Sequence, residues 1–185
     1  MGSPNVILVL TDDQGYGDVA CHGNPVLHTP HLDSLYEKSL RFTDYHASPT
    51  CSPARAGLLS GMSPFNVGVT HTIYERERMS PKIKTIADCL QSNGYNTGIF
   101  GKWHLGETPE YCPENRGFTH TFVHGAGGIP QGHPGSQGSI RGNSYFDPIL
   151  KRNDTFVQTK GYVTDVLFDE SLRFMKESLE EEKQL

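Results

Sequence analysis

The most strongly apolar run of the chain, Val6 to Leu10, stops at once in "TDDQGYGD". Consecutive apolar residues over strand length, bounded by turn formers, are the pattern of a strand buried on both faces, as in a parallel sheet. Such a sheet needs helices on its faces and crossovers between its strands. The spacing of Leu32, Leu35, Leu40 and Phe42 after Thr29-Pro30 predicts a helix leading into a second strand near Phe42 to His46. Another helix is expected from Pro53, with Ser52 as its cap, to near Gly61. Ile83, Ile86, Ala87 and Leu90 predict a third, stopped by Gly94 and followed by a strand over Asn96 to Phe100. This alternation sets the fold class: α/β, a mostly parallel sheet flanked by helices.

From Gly106 to Asn143 the chain is glycine-rich with little periodicity, and so long a loop is a functional or mobile segment. "YFDPILKRNDTFVQTKGY" reads as a hairpin turning at Asn153-Asp154. Val163, Val166, Leu167, Leu172, Phe174, Met175 and Leu179 then predict an amphipathic helix between Tyr162 and Glu182. The 185 residues suit one domain, without repeats. The sequence stops directly after a helix whose apolar face needs a partner, so the fold is expected to be incomplete. Residues 4–185 read as the N-terminal portion of a larger domain, behind Met1-Gly2-Ser3 as an expression remnant.

A net charge of -5 without a Lys/Arg stripe speaks against a nucleic-acid partner. No apolar stretch is long enough for a membrane span. Cys21, Cys51, Cys89 and Cys112 form neither a dense disulfide framework nor a Cys-x-x-Cys metal pattern. The compartment stays open; a periplasmic or secreted site fits if a signal peptide was removed.

Functional groups of parallel α/β sheets collect at the carboxyl ends of strands. Asp12 and Asp13 sit at such an end. Adjacent carboxylates favour a hard cation between them, Ca²⁺ or Mg²⁺; a solvated loop or helix cap is the other reading. Lys102 and His104, in "GKWHLG", follow another strand end. Two apart on extended chain, they point the same way, an ammonium to hold an anion and an imidazole to move a proton. A polar loop anchored by Trp103 would look the same. Cys51 stands at a helix start with Arg55 one turn along. The helix dipole favours a reactive thiolate there, and a small packed residue is the alternative.

"CSPAR" (Cys51 to Arg55) resembles the Cys-x-Pro-x-Arg signature of the sulfatase family, within the alkaline phosphatase-like superfamily. "GYNTGIFGKWHLG" (Gly94 to Gly106) resembles its second signature, and "PNVILVLTDDQGYGD" its metal-binding N-terminal strand. "KGYVTD" (Lys160 to Asp165) matches a stretch found before a helix in arylsulfatase-like members. The resemblance covers nearly the whole chain. It implies an arylsulfatase-type hydrolase of sulfate monoesters, acting on a small-molecule sulfate ester or a sulfated carbohydrate. It further implies that a formylglycine-generating enzyme, recognising Pro53 and Arg55, oxidises Cys51 to formylglycine. Asp12 and Asp13 would hold Ca²⁺ (or Mg²⁺) together with residue 51. Arg55 would orient the hydrated aldehyde, Lys102 would bridge it to a sulfate oxygen, and His104 would assist sulfate elimination.

Ser60 stands where the family more often has Thr, and "GMSPFNVGV" lacks the Arg and His common after the signature glycine. The family's later metal pair, further His and further Lys are not in this chain. Little turnover is therefore expected of these 185 residues alone. His120, His124 and His133 read as loop or substrate-rim residues rather than replacements. A phosphomonoester or phosphonate hydrolase on the same scaffold, or a truncated module without catalysis, are the rival readings.

Overall fold

A computed structural model describes residues 3–185, so Met1 and Gly2 of the expected expression remnant lie outside the described residues. The chain divides into two compact units, one of Leu8–Ala47 and one of Ser48–Leu185 with the residues up to Ile7.

The larger unit is built on a four-stranded sheet in the order β1 (Gly98–Lys102), β2 (His120–His124), β3 (Ile149–Arg152), β4 (Thr155–Gln158). β1 and β2 are parallel, in register from Gly98 opposite His120 to Lys102 opposite His124; the other two pairs are antiparallel. The sheet of the described residues is thus mixed. β3 and β4 are the expected hairpin around Asn153-Asp154. β2 lies inside the glycine-rich stretch read as loop, because its pairing with β1 comes from residues about twenty positions away rather than from local alternation.

Alternation in β1 sends its side chains to two cores. Ile99 packs with Ala56, Val67, Val69, Met79, Trp103 and Leu105. Phe100 packs with Phe122, Ile129, Leu150 and Val163, against Val166 and Leu167 of α4 (Val163–Glu180). Where α4 crosses the strand, Gly98 leaves no room for more: a Cβ would stand 2.7 Å from the Phe100 ring and 2.9 Å from that of Phe174.

Helix α2 (Cys51–Ser60) starts two residues earlier than expected, with Thr50 as N-cap and the first bond from Ala54 N–H to Thr50 O at 3.0 Å. Ser52 is therefore a buried first-turn residue and not the cap. Proline is tolerated anywhere in a helix's first turn, so Pro53 does not mark the start. Gly61, at φ +68°, ends the helix as expected. Helix α3 (Ile86–Ser92) opens on a capping box between Thr85 and Asp88. The Thr85 hydroxyl also donates to Arg116 O (2.9 Å), and the Arg116 guanidinium donates to the carbonyls of Met79, Ser80 and Ile83.

Val6 to Leu10 does not form a strand, nor does Phe42 to His46. A run becomes a strand only when a neighbour takes its N–H and C=O groups. Among the described residues the first run pairs through Val6 N–H to Leu185 O at 2.6 Å, and its side chains are 45–67% exposed.

The smaller unit carries α1 (Pro30–Lys38), after Thr29-Pro30 as expected, but Leu32, Leu35, Leu40 and Phe42 remain exposed. Polar and aromatic contacts hold the unit instead. Asp33 accepts from Cys21 N–H and the Thr29 hydroxyl, each at 2.9 Å, and Tyr16 stacks on His22.

Candidate active site

Cys51 is the first residue of α2, half-buried, where free N–H groups and the helix dipole favour negative charge. Arg55, one turn along, donates from Nη1 to the Lys102 carbonyl at 2.5 Å, tying the start of α2 to the carboxyl end of β1. On either side of that tie, Ala56 and Trp103 share one buried cluster. Trp103 is the anchor: its indole N–H donates to Gly106 O (3.1 Å) and Tyr111 O (3.0 Å), and its backbone N–H to His124 O (3.0 Å). Fully burying so large a ring contributes about 2–3 kcal/mol.

The chain leaves the strand at Lys102, and His104 takes φ +59°, so the extended alternation expected to aim Lys102 and His104 alike does not hold. His104 is instead fixed by its own bonds. Its N–H donates to Gly125 O (2.9 Å), and its ring Nε2 lies 2.8 Å from Thr72 O. A carbonyl only accepts, so Nε2 carries the proton of the neutral ring and Nδ1 is its acceptor nitrogen.

Asp12 and Asp13 lie in the smaller unit, Asp13 at φ +54°. Their oxygens suit a hard cation. Among the described residues no group of three or more His, Cys, Asp or Glu side chains is gathered to hold a metal. The donors present therefore fit part of a calcium shell, which takes six to eight oxygens.

Sequence reasoning missed a cavity of about 220 Å³ beside His104. Its polar lining comes from Thr72, Glu77, Glu107, Gln131 and His133. Burial pushes the Glu77 carboxyl above the usual range, and the charge of Glu107 works in the same direction. Glu107 accepts from the Ser136 hydroxyl and lies 3.7 Å from His133 Nε2. Of the residues read as substrate rim, His133 lines this cavity, whereas His120 and His124 belong to β2. The only local signal was the charged "YERER" stretch around Glu77. Cys112 is excluded from thiolate chemistry, since burial pushes its thiol up to about 11.

The family profile described as Sulfatase matches residues 4–185. Over 151 residues the chain is 40% identical to human arylsulfatase A, covering 78% of this chain and 28% of that protein. The crystal structure of Ps i-CgsB in complex with k-i-k-neocarrahexaose superposes with a TM-score of 0.80 at 28% identity, covering 96% of this chain and 42% of that one. BT4656 in complex with its substrate D-glucosamine-2-N,6-O-disulfate gives 0.75 at 28% identity, covering 94% and 31%. The chain thus spans less than half the length of each of these. The mixed sheet and its flanking helices are part of an α/β fold of the alkaline phosphatase-like kind.

Proposed function

This chain belongs to the sulfatase family, and from that premise we propose that it carries the nucleophile side of a sulfuric ester hydrolase. One observation supports this reading above the others. The Arg55–Lys102 bond brings together the two stretches that bear Cys51 and His104, at the start of a helix and the end of a strand.

In this reading a formylglycine-generating enzyme oxidises Cys51 to an aldehyde. Once hydrated, the aldehyde supplies two hydroxyls on one carbon, one to attack sulfur and one whose proton loss expels sulfate, an exit closed to serine. Asp12 and Asp13 would hold Ca²⁺, whose chemistry when bound would be to make the attacking hydroxyl more acidic and to neutralise charge on the ester. Arg55 holds its guanidinium one turn from residue 51 and stabilises negative charge there. Lys102 binds a sulfate oxygen as a point charge. His104, with Nε2–H held by Thr72, takes and returns the proton at Nδ1. Sulfate rather than phosphate esters follow from the relatives' chemistry.

The test is maturation followed by turnover. The protein carrying this chain, produced with a formylglycine-generating enzyme, should label at residue 51 with a hydrazide probe and release sulfate from 4-nitrophenyl sulfate. Cys51→Ser should release nitrophenol once per molecule and stop. Full turnover by the serine variant, or labelling without any sulfate release, would overturn the reading.

A further inference from the structure

Arg116 is a buried charged group that the proposed reaction leaves without a task. It is 2% exposed, and Asp88, whose charge acts on it, is bonded to Thr85 instead. The guanidinium donates to backbone alone: Nη1 to Met79 O (2.9 Å), and Nη2 to Ser80 O (3.2 Å) and Ile83 O (2.9 Å). Burying a cation against neutral carbonyls is unfavourable beside burying an apolar side chain of similar volume. What the planar fork adds is geometry, since it fixes three carbonyls of one segment at once.

That segment is the base of a loop. Ser80 N–H donates to Val67 O (2.9 Å), closing the loop, and Met79 N–H donates to Leu105 O (3.2 Å), on the residue that follows His104. Further out, Thr70 N–H and His71 N–H both donate to Arg76 O, at 3.0 and 3.3 Å, and make a turn. No side chain from Thr70 to Arg76 is buried; Tyr74 rests on His133 and Arg78 at the surface. The turn has no core of its own, so its place follows from its base. From this turn comes the Thr72 carbonyl, 2.8 Å from His104 Nε2. One loop thus holds His104 twice, by Thr72 on its ring and by Met79 on the next residue.

We propose that Arg116 is a positioning residue for His104, acting through the carbonyls of Met79, Ser80 and Ile83 and the loop that ends in the Thr72 carbonyl. Its catalytic consequence rests on the sulfatase reading above. Arg116 bonds neither His104 nor any other residue assigned to the reaction. Without its fork the base of the loop loosens, the Thr72 carbonyl leaves the ring, and Nε2–H loses its acceptor. The ring is then free to turn, and Nδ1 no longer meets the reacting group in one fixed place.

The experiment reads the His104 ring directly. In the protein carrying this chain, NMR follows exchange of the His104 Nε2–H with water in wild type, Arg116→Met and Arg116→Lys. Glu170→Gln is the control, since it loosens the fold at the α4 junction without touching the loop. Exchange should quicken by about tenfold or more in Arg116→Met and about threefold in Arg116→Lys, and should keep the wild-type rate in Glu170→Gln. In the matured enzyme, kcat for 4-nitrophenyl sulfate should fall by about tenfold or more in Arg116→Met, with KM held within about twofold. Where Arg116→Met does not fold, Arg116→Lys decides, because it keeps the cation and trades the planar fork for three rotating donors. Unchanged exchange in the folded variants, equal acceleration in Glu170→Gln, or an intact kcat beside faster exchange overturns the proposal. If the wild type releases no sulfate, the hydrolase reading falls, and exchange alone judges Arg116.

Discussion

His104 holds a left-handed backbone, φ +59°, which costs a residue with a side chain of order 1 kcal/mol. It stays there because Gly125 O and Thr72 O take its two N–H groups and Trp103 is buried beside it. Strain held this way aims an imidazole, and it also makes the aim fragile. Gly127→Ala would place a methyl 2.8 Å from His104 Cε1. We expect kcat to fall by about tenfold or more, the cost of displacing the group proposed to transfer the proton. The melting temperature, set by cores elsewhere, should move little; kcat and a thermal melt on one preparation check both. Arg55→Met keeps the bulk of the side chain but leaves the Lys102 carbonyl without its charged donor. Stability should drop by about 1–3 kcal/mol in urea titration, with sulfate release falling further than the folded fraction does. Cys51, Arg55, Lys102 and His104 stand out in the sequence through the two signature stretches that carry them, since residue type alone leaves a packed thiol and a polar loop open. Glu77, Glu107, Gln131 and His133 were not legible as a set, because they meet only through the fold.

Elements with a local cause were read well from the sequence. The αL glycines Gly61 and Gly94 and the Asn153-Asp154 turn each fix an end by short-range bonds. Elements that depend on distant partners are not legible this way: β2 has no local alternation to mark it, and among the described residues Val6 to Leu10 has no strand to pair with. The α4 junction shows how a distant partner is secured. Glu170, on α4, accepts from His120 of β2 (2.9 Å), Arg152 of β3 (3.0 Å) and Arg173 on its own helix (2.6 Å). Burial alone would raise its pKa, yet the bonds from Arg173, His120 and Arg152 win and hold it at about 2, below the ordinary 4.5. A depressed carboxylate stabilises the fold above its unfolded pKa, so the contribution is complete above about pH 4.5 and is lost as pH falls toward about 2. With Arg152 and Arg173 being 40% and 45% exposed, screening by solvent reduces its size to about 1–2 kcal/mol. Glu170→Gln should therefore be less stable than wild type at neutral pH by roughly that amount, with the difference vanishing in acid. Urea unfolding at several pH values measures it; a gap that persists at the acid end would contradict the account.

For the molecule as a whole, the nucleophile side and the cation side are of unequal completeness. Cys51, Arg55, Lys102 and His104 are placed by one sheet and one buried cluster, whereas the donors proposed for the cation are two neighbouring carboxylates in a separate compact unit. Two side chains cannot satisfy an ion that prefers six to eight oxygens, and among the described residues no third His, Cys, Asp or Glu is gathered to help. In the proposed reaction turnover needs both halves, since without the cation the attacking group would be less acidic and the ester's charge less neutralised. The 185 residues on their own should accordingly bind Ca²⁺ more weakly than about 1 mM, the loose end of protein calcium sites, and release sulfate at a small fraction of a full-length relative's rate. Calorimetric titration with Ca²⁺, paired with nitrophenol release by the aldehyde-bearing chain, gives both numbers. Tight Ca²⁺ binding would mean that Asp12 and Asp13 recruit backbone carbonyls enough to complete a shell. Fast turnover without tight binding would mean that Arg55 and Lys102 carry the charge stabilisation assigned here to the ion.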